Sequence, residues 1–158
     1  MFITSGILDF FPKDVTKKHM SQSEWKKTAV IKTNCDMHIY YANMLSKRFN
    51  LELNKPLRGC HITIISDRTS DMDLDMYDKV SKSMNGKKIN FEYDPSEIRT
   101  NANHWWLKVY SKEAEAIRTL VGLSPTPFFN FHITLGYVND KNLEHSKYIL
   151  RTIKKFNI

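Results

Sequence analysis

Apolar residues recur at strand-like spacing in five stretches of the chain and at helical spacing in four others. The predicted strands cover 28–32, 60–66, 89–93, 103–110 and 129–137. Polar caps and glycine stops predict helices from Asn34 or Asp36 to residue 49, over 71–84, between Ser111 and Gly122, and over 142–156. Strands and helices alternate, which is typical of an α+β or α/β class with one layered sheet system.

The first 24 residues have apolar clusters without a sustained period. This pattern predicts an N-terminal arm or flap that packs on a single domain over residues 25–158. The length of 158 residues suits one domain with a sizeable core.

An internal repeat relates two of the predicted strands. A shift of 71 residues aligns residues 56–64 with 127–135. The proline that begins each segment, the histidine five positions later and the isoleucine and threonine after it are identical, and an aliphatic residue follows in both. The predicted elements upstream also match in order. Two copies of one unit tend to pack around a pseudo-two-fold axis, so we expect the two strands to face each other across a groove.

Alternation along these strands puts His61 and Thr63 on one face, and His132 and Thr134 on the equivalent face of the other strand. The predicted cleft therefore holds two imidazoles and two hydroxyls. One neutral imidazole can remove a proton from an attacking hydroxyl while the other, protonated, gives one to the leaving oxygen. The threonine hydroxyls can donate to non-bridging phosphate oxygens. This set suits phosphodiester chemistry without a metal.

A single His-x-Thr tripeptide is more often an ordinary piece of sheet than a catalytic site. The matched pair is different, because it shares the flanking proline, the aliphatic backing residues and the upstream topology. The pair therefore favours function over a purely structural role.

These motifs, His61-Ile-Thr63 and His132-Ile-Thr134, resemble those of the two-histidine (2H) phosphoesterases. The resemblance spans residues of about 25–140. It implies an α+β, two-lobed fold of duplicated strand-helix-strand units around a pseudo-two-fold cleft, with His61, Thr63, His132 and Thr134 as catalytic residues. The family includes RNA cyclic phosphodiesterases, enzymes that degrade 2′-5′ oligoadenylates, and phage enzymes that act against cyclic-oligonucleotide (CBASS) signalling.

Within the family, the compact length and the contexts of the two motifs are most similar to the phage anti-CBASS phosphodiesterases. That likeness implies metal-independent hydrolysis of 3′-5′ linkages in cyclic di- or trinucleotides. Two alternatives stay open at this point. One is an RNA 2′,3′-cyclic or 2′-5′ oligonucleotide phosphodiesterase, and the other is a catalytically silent nucleotide-binding module. The sequence leaves undecided which histidine is the base.

The remaining composition agrees with a phosphate ligand. The formal net charge is +7, which attracts phosphates but by itself also fits simple solubility. The two cysteines form no metal-ligand or disulfide pattern, so we expect no cofactor, no metal and a reduced cytosolic setting, that of the host cell if the chain is phage-encoded. No apolar run suits a membrane span. The expected ligand is a cyclic oligonucleotide, with short RNA as a second class, and no obligatory protein partner is indicated.

Three further residues are candidates for substrate binding. Trp106 and Lys108 share one face of their predicted strand, where they can stack a base and hold a phosphate, unless that face lies under a helix. Phe91 is a similar candidate on the preceding strand. Gly136 is expected on the cleft face, where it leaves room for substrate, and Tyr137 is expected in the core unless the strand bulges.

Overall fold

The computed structural model describes residues 1–12, 27–33, 36–56 and 58–156, and these residues form six strands and four α-helices. The elements in chain order are β1 (Phe2–Asp9), β2 (Ala29–Lys32), α1 (Met37–Phe49), β3 (His61–Ile65), α2 (Leu74–Met84), β4 (Lys88–Thr100), β5 (His104–Tyr110), α3 (Lys112–Leu120), β6 (His132–Tyr137) and α4 (Leu143–Phe156). Short 3₁₀ turns precede α2 and α4. The mixed helix-and-sheet class is confirmed.

The strands form one closed antiparallel barrel in the order β1-β2-β3-β6-β5-β4. The two motif strands are therefore neighbours within the barrel, paired at Ile62 and Ile133, and do not face each other across a groove as expected. The expectation placed the two strands on opposite walls of a groove. Closure through β1, which pairs with both β2 and β4, joins all six strands instead.

The start of the predicted N-terminal arm is a strand of the barrel. Strand β1 pairs with β4 from Phe2–Tyr93 to Ile7–Lys88, and its end pairs with β2. The arm prediction is wrong for this stretch, because the apolar residues on both faces of β1 hide the two-residue period of a strand. The rest of the predicted arm, residues 13–24, lies outside the described residues.

Capping side chains begin two of the helices, α3 at the predicted Ser111 and α2 at Asp73, two residues after its predicted start. Asp73 accepts a hydrogen bond from the Met76 backbone N–H at the start of α2 (3.0 Å), and Ser111 accepts one from the Ala114 N–H at the start of α3 (3.2 Å). Gly122, with φ of +83°, ends α3.

Alternate residues of the strands pack with the apolar residues of the helices to form the core. Ile62 and Ile64 of β3 and Ile133 and Leu135 of β6 are all buried in this cluster. The residues between them project to the opposite side of the sheet, which we call the site face. The core therefore packs against one face of the two motif strands, and their histidines and threonines lie on the other face, the site face.

A buried arginine connects the end of β3 to the loop that precedes β6. Arg118 of α3 is 1% exposed and donates to the Ile64 carbonyl (2.8 Å), to the Asp67 carboxylate (2.8 and 3.3 Å) and to the Ser124 carbonyl (2.7 Å). The carboxylate partner compensates a charge that would otherwise be costly to bury. The guanidinium thus links the end of β3 to the loop that leads into His132.

None of the helices within the described ranges is both long enough and apolar enough to cross a membrane.

Candidate active site

Four side chains of the two motifs meet on the site face. The Ile62–Ile133 pair sets the antiparallel register, so His61 lies across from Thr134 and Thr63 lies across from His132. Directly opposed residues in such a pair have Cβ atoms about 4.5–5.5 Å apart. Each histidine therefore stands opposite the threonine of the other motif. We call His61, Thr63, His132 and Thr134 together the motif patch.

Both histidines make the same backbone hydrogen bond. Nδ1 of His61 lies 2.7 Å from the Gly59 carbonyl oxygen, and Nδ1 of His132 lies 3.0 Å from that of Asn130. A carbonyl oxygen can only accept, so Nδ1 carries the hydrogen in both rings and donates it. The neutral form of each ring then has its lone pair on Nε2. The two Nε2 atoms are the positions at which the motif patch can take or give a proton.

Electrostatics distinguish His61. Burial lowers the pKa of this histidine below its ordinary value, and the hydrogen bond to the Gly59 carbonyl opposes part of that shift. The positive charges of Arg58, His132 and His38 lower the pKa further. The neutral imidazole is the form that accepts a proton, so at neutral pH His61 is suited to that role.

Strand β5 brings two predicted binding residues beside the second motif. Trp106 pairs with Thr134 and Lys108 pairs with His132, so both side chains share the site face with the motif patch. The ring centroids of Trp106 and His132 are 6.2 Å apart. Trp106 and Lys108 are only half-buried, so no helix covers them completely.

The same cross-strand row extends to a basic side chain at each end. Lys32 of β2 pairs with His61, and Arg99 of β4 pairs with Trp106. Lys32 also forms an ion pair with Asp9 (2.8 Å). A cavity of about 200 Å³ beside His61 is lined by Lys32 and Arg58 among others. Arg99 likewise lies 3.7 Å from a Glu97 carboxylate oxygen, so each end cation has an acidic partner, and Arg58 adds positive charge beside His61.

The comparison with known families agrees with this geometry. The sequence model of the family described as "Swiss Army Knife, 2H phosphoesterase domain" matches residues 29–143, which is well over half of the chain. The chain belongs to the 2H phosphoesterase family. Membership implies a hydrolase that acts on phosphodiesters. No curated protein and no solved structure matches the chain significantly.

In this 2H phosphoesterase, the described residues contain no group of three or more His, Cys, Asp or Glu side chains placed to hold a metal ion. The motif patch itself offers two imidazoles and two hydroxyls and no carboxylate. Proton transfer and hydrogen bonding are the chemistry that this donor set supplies.

One predicted binding residue is misplaced. Phe91 is 1% exposed and packs in the core on the helix side of β4, so its ring is not available to a substrate. The predicted strand, 89–93, is the first part of β4, but its apolar alternation marks the core face.

The end of β6 also differs from expectation. The pairing with β5 shifts by one residue between Trp105–Gly136 and Trp106–Thr134, which is a β-bulge. The bulge turns the Tyr137 side chain away from the core. The side chain is half-buried there, and its ring contacts the His104 ring. Gly136 leaves no room for substrate. A Cβ there would lie 2.6 Å from the Asn54 carbonyl oxygen, because a segment of chain crosses closely at this point.

Sequence reasoning missed the side chains that precede the two histidines. Arg58 lies three positions before His61, and Phe129 lies three positions before His132. Alignment of the repeat identifies these two positions as equivalent but does not predict that Phe129 is exposed. His38 of α1 was missed as well: its Nδ1 is buried, and its charge lowers the pKa of His61. No spacing in the sequence links α1 to the motif.

Proposed function

We propose that this 2H phosphoesterase is a metal-independent phosphodiesterase that cleaves 3′-5′ linkages of cyclic di- and trinucleotides and thereby defeats CBASS antiviral signalling. The observation that carries the catalytic part is the pair of identical Nδ1–carbonyl hydrogen bonds, which leave two Nε2 atoms for acid and base roles in one patch. The substrate part is supported by the likeness to phage enzymes and by the basic and aromatic side chains around the patch.

The proposed reaction begins with the ribose 2′-hydroxyl next to the scissile bond. Nε2 of His61 accepts its proton, because the lowered pKa of His61 keeps this ring neutral. The 2′-oxygen attacks phosphorus, the bond from phosphorus to the 5′-oxygen breaks, and the leaving oxygen takes the proton of protonated His132. Water then opens the resulting 2′,3′-cyclic phosphate with the two histidines in exchanged roles.

The threonines stabilise charge in this scheme. Each hydroxyl stands opposite the histidine of the other motif and can donate to a non-bridging phosphate oxygen while the phosphorus is five-coordinate. Lys108 and Arg58 add positive charge beside His132 and His61 respectively. These groups are in place before the reaction, so they stabilise the developing charge without rearrangement.

The substrate class follows from what surrounds the patch. Trp106, half-buried beside His132, can stack a nucleobase. Lys32 and Arg99 at the two ends of the cross-strand row suit a ligand with more than one phosphate. A cyclic dinucleotide, which is compact and carries two phosphates and two exposed bases, satisfies both features.

The test uses labelled cyclic di- and trinucleotides, linear 2′-5′ oligomers and RNA with a 2′,3′-cyclic end. We expect cleavage of a cyclic substrate and retention of binding but no cleavage when the 2′-hydroxyl beside the scissile bond is removed. Turnover of only the 2′-5′ oligomers or the cyclic-ended RNA would reassign the substrate and leave the two-histidine site in place. Equal cleavage of the deoxy analogue would instead indicate attack by water.

A further inference from the structure

Two large apolar side chains on the loop before β6 are exposed to solvent. Phe128 is 93% exposed and Phe129 is 74% exposed, and their ring centroids are 4.9 Å apart at a right angle. Single exposed apolar residues are common, but a contiguous aromatic pair beside a functional site is a typical mark of a binding surface.

The loop that carries them is fixed at both ends. The Ser124 carbonyl accepts a hydrogen bond from buried Arg118 (2.7 Å), and the Asn130 N–H donates to the Pro127 carbonyl (2.9 Å). The latter bond makes Phe128 and Phe129 the two central residues of a tight turn. Phe131 directly after the turn is buried in the core, and its carbonyl accepts from Val109 (2.9 Å). The exposed rings are therefore held at the end of β6.

The repeat places Phe129 where the first motif has Arg58. The two loops share the hydrogen bond between the histidine Nδ1 and the carbonyl two residues earlier, but their backbones differ there, since Asn130 has a φ of +58° and Gly59 is not in the left-handed region. Arg58 is close enough to His61 to lower its pKa. At the corresponding sequence position the second motif has Phe129, three residues before His132, with a ring in place of a guanidinium.

We propose that Phe128 and Phe129 form a stacking platform for a nucleobase of the substrate, on the side of His132 away from Trp106. The platform precedes His132, whereas Trp106 lies across from Thr134 further along β6. A phosphate held at the motif patch then has an aromatic surface on each side, one for each nucleotide it joins. Arg58 gives the first motif a phosphate contact at the equivalent position. This inference rests on the proposed function for the choice of a nucleotide ligand.

The experiment measures stacking directly. One probe is a 2′-deoxy cyclic dinucleotide that contains 2-aminopurine; it lacks the nucleophile of the proposed reaction, and its fluorescence falls when the base stacks on an aromatic ring. A second probe is 2-aminopurine riboside 2′,3′-cyclic phosphate bound to the His61→Asn protein. Titrations compare the parent protein with F128S/F129S, with F128Y/F129Y, and with Tyr148→Ser, which removes a similarly exposed ring (62%) from α4.

We expect quenching with the parent, F128Y/F129Y and Tyr148→Ser proteins. In F128S/F129S we expect the quenching to fall to the part that stacking on Trp106 supplies, and binding to weaken by about 10- to 100-fold, the typical effect of one stacked base. Unchanged quenching and affinity in F128S/F129S would overturn the platform. Absence of quenching with both probes in the parent protein would also overturn it. The same holds if F128S/F129S changes the oligomeric state of the protein and leaves the quenching intact. The quenching and affinity measurements do not depend on turnover. Cleavage of ribose cyclic dinucleotides therefore tests the proposed function separately.

Discussion

At the residue scale, the shared backbone bond of the two histidines decides which atoms can react. Because Nδ1 donates to the Gly59 or Asn130 carbonyl, each ring is oriented and its proton fixed before substrate arrives. The rings would be equivalent but for their surroundings. Burial and the charge of Arg58 keep His61 in the neutral form, which suits the base.

Replacing either histidine removes half of the proton relay. We expect His61→Asn or His132→Asn to lower kcat by at least about 10²-fold, and the double variant to be little worse than either single one, because groups that act as a unit are not additive. Asparagine keeps a donor for the backbone carbonyl. The matched control is His145→Asn on α4, which should retain full turnover. Near-parental activity of either single variant, with circular dichroism unchanged, would contradict the paired roles.

The pH dependence should report the environment of His61. The acidic limb of kcat/KM marks protonation of the base, so a lowered pKa puts this limb below about 6.5. Removal of the neighbouring charge in Arg58→Gln should raise the pKa and move the limb to higher pH, although burial still holds it down. Lys79→Gln on α2 removes the same charge elsewhere and should leave the limb in place. An acidic limb that does not move in Arg58→Gln would assign the base to another group.

The threonine hydroxyls should matter more than their methyl groups. Thr63→Val and Thr134→Val keep the shape and lose one donor each, so we expect kcat to fall by about 10- to 10³-fold. Thr63→Ser and Thr134→Ser keep the donor and should stay much closer to the parent. Steady-state kinetics on one substrate separate the two pairs. Equal loss in the valine and serine variants would point to packing as the role of these side chains.

At the scale of the elements, the bulged end of β6 is held by a neighbouring segment. The backbone of Asn54 exchanges two hydrogen bonds with that of Tyr137 (2.8 and 3.1 Å). This contact requires a residue without a side chain at position 136, since a Cβ there would also lie 2.9 Å from Leu53 Cβ. The close crossing supports β6 beyond Thr134.

We expect Gly136→Ala to destabilise the fold by about 1–3 kcal/mol, because the clash is with backbone that cannot rotate away. Gly59→Ala is the matched control, since a Cβ there meets nothing within 4 Å. Urea unfolding followed by circular dichroism gives both values. A Gly136→Ala protein as stable as the parent would mean that the 53–54 segment moves aside easily.

These elements also show what sequence can and cannot give. Most of the helices and strands between residues 28 and 156 were predictable, because the Ser111 cap and the alternation around His61 and His132 are local signals. The second half of β4, residues 94–100, was not, since its sequence lacks apolar alternation. Barrel closure through β1 and the crossing over Gly136 were not, since both depend on partners distant in sequence. The motif patch was predictable in composition, but its cross-strand register was not.

At the scale of the whole molecule, the net charge and the side chains of the motif patch make separate contributions: the first to ligand attraction and the second to the proposed chemistry. The formal net charge of +7 raises the local concentration of anionic ligands at low salt. The chemistry itself needs only imidazoles and hydroxyls in the scheme proposed above. The two contributions can be separated experimentally.

We expect turnover to survive strong chelators, because acid, base and charge stabilisation all come from side chains of the motif patch. Assays after EDTA treatment and gel filtration, with and without added Mg²⁺ or Mn²⁺, measure this. A parallel salt series should raise KM while leaving kcat nearly constant. Loss of activity on chelation that either metal restores would contradict the metal-independent mechanism.

The pairing of Ile62 with Ile133 is the register that two identical strands would adopt about a dyad through their central residues. In a homodimer built that way, every substitution would appear on both sides of the site. Here both strands belong to one polypeptide, so each side can change alone. The contrast between Arg58 and Phe129 is such a change, and under the proposal above one half of the site meets charge while the other meets a flat ring. Because both motifs lie on one chain, two equivalent histidines can belong to an asymmetric site, and such a site can hold an asymmetric ligand in one orientation.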